Sequence, residues 1–219
     1  MKNIILNYSL LIATTCIIMI SCDTKKSSIK PTTKEHMDAG FKTIENMQSA
    51  YKGEMTATAK YEAYSKKADE EGYHQIAILY HAVAAAEKIH ATNHKAVIED
   101  AGSTVPIIKP EYTVKTTKEN LSDDINGEAY EAKTMYPDFL KTAEIADNKI
   151  AVLSLTYAMK TELKHKYFFE QTLGDLNSNT LNSMSSIYYV CPACGNTYTT
   201  APKHCDFSLT DKEKFITFQ

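Results

Sequence analysis

The chain has 219 residues, of which 43% are hydrophobic and 23% are charged. This is the composition of an ordinary globular protein, and the length suits one domain of common size with a small second one. The 24 basic and 27 acidic residues give a net charge of -3, without a long basic run. Because proteins that track a phosphate backbone usually carry such a run, we expect no nucleic-acid partner.

The first 21 residues are predicted to be a secretory signal. A basic residue precedes an apolar stretch over residues 4–20, and a serine stands directly before Cys22. A small residue before a cysteine resembles a bacterial lipobox, in which Cys22 is acylated and becomes the mature N-terminus. The alternative is an uncleaved membrane anchor, because the apolar stretch is just long enough to span a bilayer. Both interpretations predict an exported, membrane-anchored protein of a bacterial cell envelope, with residues 22–36 as a polar tether.

Helix-forming residues dominate the next part of the chain, and this pattern predicts a helical bundle over residues 37–175. Visible interruptions divide it into helices at residues 38–70, 74–101, 117–146 and 149–173. The connection between the second and third helices, residues 102–110, contains two prolines and is too extended for a tight turn. It suits a crossover connection. Within the third helix, Pro137 is expected to produce a kink.

The two helix pairs carry a repeated motif. A lone glutamate in the first helix recurs in the third, 74 residues later, and a Glu-x-x-His motif in the second helix recurs in the fourth. The second copy contains one extra residue. Such a specific internal repeat is not expected by chance. The residues concerned are Glu54, Glu87 and His90 in the first hairpin and Glu128, Glu162 and His165 in the second.

The spacing puts these six residues at one level of the bundle. Glu54 lies 18 residues before the break at Gly72 and Glu87 lies 15 residues after it, so both sit about 25 Å from the turn in antiparallel helices. The second hairpin repeats this spacing around Asp147. Both side chains of a Glu-x-x-His motif project from one helix face and can reach a common ion. Because a bare carboxylate beside the alanines that precede Glu87 would be costly to bury, we predict a site for two metal ions.

The pattern is also that of the known ferritin-like di-iron bundles, so this prediction is partly a match to them. A carboxylate-rich site with one histidine per ion suits Fe or Mn, and sites of this kind also accept Zn. The alternative is that glutamate and histidine at helical spacing lie on a hydrated surface. Glu71 and His74 have the same spacing, but they straddle the turn and lack a repeat partner, so we expect them at the surface.

The sequence over residues 43–215 resembles the rubrerythrin family. Besides the six residues, Glu131 follows Glu128 by three positions and corresponds to an alanine in the first hairpin, an asymmetry that resembles rubrerythrins rather than ferritins. The resemblance implies an all-α, ferritin-like four-helix bundle with a long crossover between helices 2 and 3, and a small rubredoxin-like β domain over residues 187–219. It also implies that Glu131 and His90 are alternative ligands of one iron, which moves between them as the iron pair is oxidised and reduced.

Two tyrosines, Tyr61 and Tyr136, also match the family, whose tyrosines line the di-iron pocket. We expect both to hydrogen-bond ligand carboxylates and to orient them, with Tyr136 as a donor near the reacting oxygens. The alternative is that their positions are incidental, since the chain contains 14 tyrosines.

The C-terminal region holds three clustered cysteines. Cys191 and Cys194, in the run Cys-Pro-Ala-Cys-Gly, are similar to the first knuckle of a rubredoxin, in which thiolates bind one tetrahedral iron. The second knuckle supplies Cys205, but a serine stands where the family has its fourth cysteine. The metal is expected to be Fe or Zn, and an empty knuckle or a disulfide between the first two cysteines is the alternative. The candidates for a fourth ligand are Ser208, Asp206 and His204.

The resemblance implies a non-haem di-iron oxidoreductase that reduces hydrogen peroxide to water in defence against oxidative stress. Electrons would come from an unidentified donor through the rubredoxin-like site, and we expect a homodimer. A ferroxidase or iron-sequestering protein with little peroxidase turnover is the first alternative, and Ser208 favours it. A non-catalytic lipoprotein with Zn in the bundle is the second.

Overall fold

The computed structural model describes residues 32–219. The predicted signal peptide, the predicted acylation site Cys22 and the predicted tether up to residue 31 lie outside the described residues. In the part of the chain that the structure describes, no helix combines the length and the apolar character needed to cross a membrane.

The bundle is built from helices α1 (Thr33–Glu70), α2 (His74–Asp100), α3 (Thr117–Tyr130), α4 (Tyr136–Ile145) and α5 (Lys149–Ser178). Helix α1 packs along α2, while α3 and α4 pack along α5, so the chain forms two helical hairpins. Helix α1 begins early because Thr32 and Glu35 form a capping box. Residues 33–36, predicted as tether, are therefore helical, and α5 extends beyond its predicted end at residue 173.

The third predicted helix is interrupted by a π-helical segment, Glu131–Met135, which joins α3 to α4. This segment accounts for the extra residue in the second repeat, because the interval from Glu128 to the following turn is one residue longer than the interval from Glu54 to its turn. A π turn accommodates one more residue than an α turn. Pro137 follows at the start of α4, where its missing N–H costs little, so the irregularity precedes the proline rather than arising at it.

The crossover between the hairpins is extended, as predicted, and it is tied to α1 by two side chains. The Gln48 amide donates to the carbonyl oxygen of Thr104 at 2.8 Å. The Tyr64 hydroxyl donates to the carbonyl oxygen of Thr113, also at 2.8 Å. These bonds hold the crossover along the first hairpin, beside the level of Glu54.

Two hydrophobic clusters lie on either side of the glutamate level. The cluster nearer the turn of the first hairpin includes Tyr61, Leu79, Tyr80 and Phe169. The cluster at the other end includes Met47, Ile98, Tyr136 and Leu155. Both are buried, so the polar layer between them is enclosed by packed apolar side chains that exclude water.

The C-terminal part forms a three-stranded antiparallel sheet with strand order β2-β1-β3, from β1 (Tyr188–Val190), β2 (Thr197–Tyr198) and β3 (Ile216–Phe218). Two residues of β1 pair on both sides: Tyr189 with Tyr198 and Thr217, and Val190 with Thr197 and Ile216. All three strands contact α2, and β2 also contacts α5. The predicted fold, a helical bundle with a small β domain, is confirmed.

Candidate metal centre

Six side chains from four helices meet in the polar layer of the bundle. They form two overlapping groups whose ligand atoms lie within 4.8 Å of one another. Glu87 and Glu162 belong to both groups. The remaining members are Glu54 and His90 in one group and Glu128 and His165 in the other. Each group has the ligands for one ion, and the two shared carboxylates can bridge the pair.

The two histidines face the shared carboxylates through their Nδ1 atoms. His90 Nδ1 lies 3.0 Å from Glu87 Oε2 and 3.1 Å from Glu162 Oε1. His165 Nδ1 lies 2.9 Å from Glu162 Oε2 and 3.1 Å from Glu87 Oε1. Each shared glutamate therefore turns one oxygen to each histidine, as the sequence repeat requires of a pseudo-symmetric site.

The far ring nitrogens of both histidines bond to the C-terminal domain. His90 Nε2 lies 3.1 Å from the carbonyl oxygen of Cys194, which can only accept. His165 Nε2 lies 3.2 Å from the Thr197 hydroxyl, whose own hydrogen goes to the Gly195 carbonyl. Both Nε2 atoms therefore carry a hydrogen, which leaves Nδ1 as the atom of each ring that would bind an ion.

Gly195 makes this contact between the domains possible. Its φ of +76° is in the region that favours glycine, and a Cβ added there would lie 2.5 Å from His90 Nε2. The sequence reasoning did not find this contact, because it joins residues about a hundred positions apart. The glycine after Cys194 was its only local sign.

The electrostatics of the layer fit a pair of cations. Burial, together with the neighbouring carboxylates, raises the pKa values of Glu54, Glu128 and Glu162 well above the ordinary range. Burial also acts to raise the pKa of Glu87, but His165 and His90 outweigh it and lower that pKa. Both oxygens of Glu162 and Nδ1 of His165 are buried, and their close contacts with one another and with neighbouring ligands lack the geometry of a hydrogen bond. Unpaired buried groups of this kind are costly, and two bound cations would satisfy them.

Two tyrosines support the lone glutamates from outside the layer. The Tyr136 hydroxyl donates to Glu54 Oε1, and the Tyr61 hydroxyl donates to Glu128 Oε1. Burial raises the pKa of both phenols well above the ordinary value, so both remain protonated donors. The structure thus gives both tyrosines the carboxylate contacts that the sequence predicted.

Glu131 lies outside the two groups of ligands. It is in the π-helical segment and lines a cavity of about 650 Å³ beside Lys60, Tyr64 and the crossover. Burial and the charge of Glu87 raise the pKa of Glu131 to about 7. Of the seven bundle ligands that the sequence predicted, this is the one that the structure places at the edge of the site.

A third buried histidine was missed by the sequence reasoning. His94 follows His90 by one helical turn, and its side chain is fully buried. Its Nδ1 lies 2.8 Å from the Ser154 hydroxyl, and its Nε2 lies 3.3 Å from the Tyr136 hydroxyl. The i, i+4 spacing after His90 was a signal, but the prediction used only the repeated motif.

The pair Glu71 and His74 behaves as predicted for a surface position. His74 is mostly exposed, and its Nδ1 lies 2.5 Å from Asp69 Oδ1. Glu71 instead accepts a hydrogen bond from the backbone N–H of Thr117. Neither residue contacts the polar layer.

The three C-terminal cysteines form a second cluster. All three are buried free thiols, so the alternative of a disulfide does not apply to the described structure. The Ser208 hydroxyl lies 3.2 Å from Cys191 Sγ. His204 turns away to Asp211, at 2.9 Å, and Asp206 accepts a hydrogen bond from Tyr198. Of the candidates for a fourth ligand, Ser208 is thus the one beside the thiols.

Two of the three cysteines in this cluster favour the thiolate form. The hydrogen bond from the Cys194 thiol lowers the pKa of Cys191 to about 4, and the same bond raises the pKa of Cys194. Contacts that include Ser208 and Tyr198 outweigh burial and lower the pKa of Cys205. Thiolates are the form that binds metal ions.

Comparisons with known proteins agree with this geometry. The rubrerythrin family model matches residues 45–173. The chain is 32% identical over 180 residues to rubrerythrin-2 of Clostridium acetobutylicum, with 80% of this chain and 96% of that protein covered. It is 31% identical over 205 residues to nigerythrin of Nitratidesulfovibrio vulgaris, covering 87% and 96%.

A solved structure of nigerythrin in its fully reduced, all-ferrous state is also similar. It superimposes with a TM-score of 0.72 at 32% identity, over 80% of this chain and 86% of that one. The family match, the identities and the buried glutamate–histidine layer lead to one conclusion. The chain belongs to the rubrerythrin family, and its bundle carries a di-iron site.

Proposed function

We propose that this protein is a di-iron peroxidase that reduces hydrogen peroxide to water, with electrons delivered through its C-terminal domain. The observation that carries the proposal is the direct bond between the two sites, from His90 Nε2 to the carbonyl oxygen of Cys194. When bound, two ferrous ions would supply the two electrons that one peroxide requires.

Different residues of the polar layer would bind the two ions. Glu87 and Glu162 would hold both, while Glu54 with His90 and Glu128 with His165 would each complete one side. Tyr61 and Tyr136 fix the orientation of the two lone glutamates. Tyr136 is also a protonated phenol, and its hydrogen goes to Glu54.

Peroxide would enter through the cavity at the π-helical segment. The cavity is lined by Lys60, Tyr64 and Asp124, and Glu131 is also part of its lining. Lys60 forms an ion pair with the buried Asp124 at 2.9 Å, so these two opposite charges in the cavity wall compensate each other. We propose Glu131 as a further ligand that serves one ion in one oxidation state, because it lies at the point where substrate would arrive.

Electrons would enter from the C-terminal domain, which packs on α2 and α5, away from the cavity at the π-helical segment. The thiol cluster and the bundle layer are linked by the Cys194–His90 bond and by the contact between Thr197 and His165. Both links run from the knuckle and its strand to a metal-binding ring. A hydrogen-bonded path of this kind needs no large movement before an electron passes.

A ferroxidase is the second candidate function, and the serine at position 208 favours it. A serine hydroxyl is a harder ligand than a thiol and a much weaker acid. It would therefore hold an electron-transfer iron less firmly. A protein with a weak electron inlet would oxidise iron but turn over peroxide slowly.

Stopped-flow mixing separates the two functions. Reduced, iron-loaded protein is mixed anaerobically with hydrogen peroxide and, separately, with oxygen, and the ferric absorption is followed. We expect oxidation by peroxide to be faster than oxidation by oxygen at equal concentration. Faster oxidation by oxygen would favour the ferroxidase.

We also propose that the protein is an exported lipoprotein acylated at Cys22, and that it acts as a homodimer with an unidentified electron donor. The support for export is the apolar stretch over residues 4–20 and the small residue before Cys22. We expect Cys22→Ser to release the protein from the membrane fraction with unchanged iron content. Persistent membrane association would mean that the apolar stretch is retained as an anchor. For the homodimer, sedimentation of the protein without its signal peptide and tether should give the mass of two chains.

A further inference from the structure

A surface groove lies between α2 and α5, on the side of the bundle where Tyr136 supports Glu54. It has a volume of about 300 Å³ and is lined by Asn93, Val97, Leu153, Ser154 and other residues. Ser154 is almost completely buried behind it, with 6% of its surface exposed. Ser154, with its hydroxyl, is therefore part of the wall of the groove.

A continuous hydrogen-bonded chain begins at that hydroxyl. Ser154 Oγ lies 2.8 Å from His94 Nδ1, and His94 Nε2 lies 3.3 Å from the Tyr136 hydroxyl. The Tyr136 hydroxyl donates to Glu54 Oε1. Three side chains thus connect the groove to a predicted ligand of the di-iron site, without an apolar gap.

Along this hydrogen-bonded path, each hydrogen points toward Glu54. Tyr136 gives its hydrogen to Glu54, so its oxygen is free to accept one from His94 Nε2. His94 Nδ1 then has no hydrogen and accepts from Ser154. The ring is fully buried, and these two hydrogen-bond partners fix its orientation.

The other half of the bundle supplies a natural comparison. Tyr61 supports Glu128 as Tyr136 supports Glu54, and the one-residue difference in spacing is the extra residue of the π-helical segment. The position one turn after His165, which corresponds to His94, is Phe169. Its ring packs 5.6 Å from that of Tyr61, inside the apolar cluster. The repeat therefore departs from symmetry at the residue that connects one tyrosine to the surface.

We propose that Ser154, His94 and Tyr136 form a proton path from the groove to the di-iron site. This inference rests on the proposed peroxidase function. Reduction of one peroxide to two waters consumes two electrons, which the reduced iron pair provides, and two protons. One proton would come by this path.

The transfer conserves every proton. A hydronium ion in the groove gives a proton to Ser154 and becomes water, while Ser154 passes its own proton to His94 Nδ1. His94 passes its Nε2 proton to the Tyr136 oxygen, and Tyr136 passes its phenolic proton to Glu54 Oε1, from which the product oxygen takes it. The ring then resets by turning about its Cβ–Cγ bond, so that groove water takes the hydrogen from Nδ1 and returns one to Nε2.

Two variants test the path. Ser154→Ala removes the first carrier with little change of volume, and His94→Phe converts this half of the bundle to the residue found in the other half. We expect both to keep the wild-type iron content. Each should slow oxidation of the reduced protein by peroxide roughly tenfold or more and change its solvent deuterium isotope effect. His74→Phe, at an exposed histidine, is the matched control.

Two further readouts do not depend on turnover. In the zinc-loaded protein, the ¹⁵N resonances of His94 should show hydrogen on Nε2 and none on Nδ1, and Ser154→Ala should shift the Nδ1 resonance. In His94→Ala, added imidazole should restore the rate.

Unchanged rates and isotope effects in both variants would overturn the path, as would the opposite tautomer of His94. If the wild-type protein itself did not react with peroxide, the proposed function would fail instead, whatever the state of His94.

Discussion

The bundle site and the C-terminal thiol cluster differ in how completely the chain supplies their ligands. The bundle site has a full pseudo-symmetric set of four carboxylates and two imidazoles, held by helices that repeat each other. The thiol cluster has three sulfur ligands and a hydroxyl, held by short strands and turns. A repeated helical scaffold supplies each type of ligand twice, once from each hairpin. A rubredoxin-like site takes one sulfur ligand from each of four positions, and in this chain the hydroxyl of Ser208 stands at one of them.

The largest expected effect is at the shared glutamates of the bundle. Glu87→Ala or Glu162→Ala should remove most of the iron from both positions, because each residue belongs to both groups of ligands. The metal content of the three-cysteine cluster should be unaffected. Metal content per chain, measured by mass spectrometry, is the test, and His74→Ala is the control with an exposed histidine. Equal losses in all three variants would contradict the ligand assignment.

The C-terminal cluster should respond to completion of its thiolate set. We expect the natural protein to lack the strong visible absorption of a four-thiolate ferric centre, and Ser208→Cys to produce it after iron loading. The Ser208 hydroxyl already lies 3.2 Å from Cys191 Sγ, so a thiol at that position can reach the same ion.

Donor-dependent peroxide turnover should rise with that absorption if the natural protein is limited at its electron inlet. A four-thiolate spectrum in the natural protein, or no gain of iron in Ser208→Cys, would mean that other residues complete the cluster.

The contact between the two sites can be disturbed at Gly195. In Gly195→Ala the new Cβ would meet His90 Nε2 at 2.5 Å, at a φ of +76°. We expect a loss of about 2–4 kcal/mol in the free energy of unfolding, from steric overlap and backbone strain together. Denaturant unfolding of the iron-loaded protein measures it. Gly174→Ala is the control, because that helical glycine has open space around its Cβ direction and should gain up to about 1 kcal/mol.

The smallest expected effect concerns pH. Burial and mutual repulsion raise the pKa values of Glu54, Glu128 and Glu162 in the folded, metal-free protein. The folded state then binds more protons than the unfolded state, so stability is greatest near the ordinary glutamate pKa of about 4.3 and falls as pH rises above it.

Metal ions replace those protons, so the gain in Tm on metal loading should grow between about pH 5.5 and pH 8. Calorimetry of metal-free and zinc-loaded protein measures the difference. A gain that shrinks with rising pH would contradict the cause assigned to the raised pKa values.

Much of the bundle could be predicted because its signals are local and repeated. Helix-forming residues indicated the helices, and two copies of one motif identified the six residues that meet in the layer. The extra residue in the second copy was visible in the sequence, but its location was not, since a π turn has no distinct residue pattern. Pro137 was the visible sign of an irregularity in the third helix, and the π-helical segment lies directly before it.

The remaining features depend on contacts between distant parts of the chain. The bond from His90 to Cys194 joins a helix to a knuckle, and neither motif refers to the other. His94 was overlooked because its partners, Ser154 and Tyr136, come from the other hairpin. The choice among Ser208, Asp206 and His204 likewise needed the turn geometry that directs their side chains.

The central claim is that the bundle holds a two-iron centre that reduces peroxide by two electrons. Anaerobic titration of the reduced, iron-loaded protein with hydrogen peroxide tests it most directly, with the ferric absorption of the bundle centre as the signal. We predict an end point at one peroxide per two bundle irons, with no oxygen released. An end point at two or more peroxides per iron pair, or oxygen release, would contradict the account.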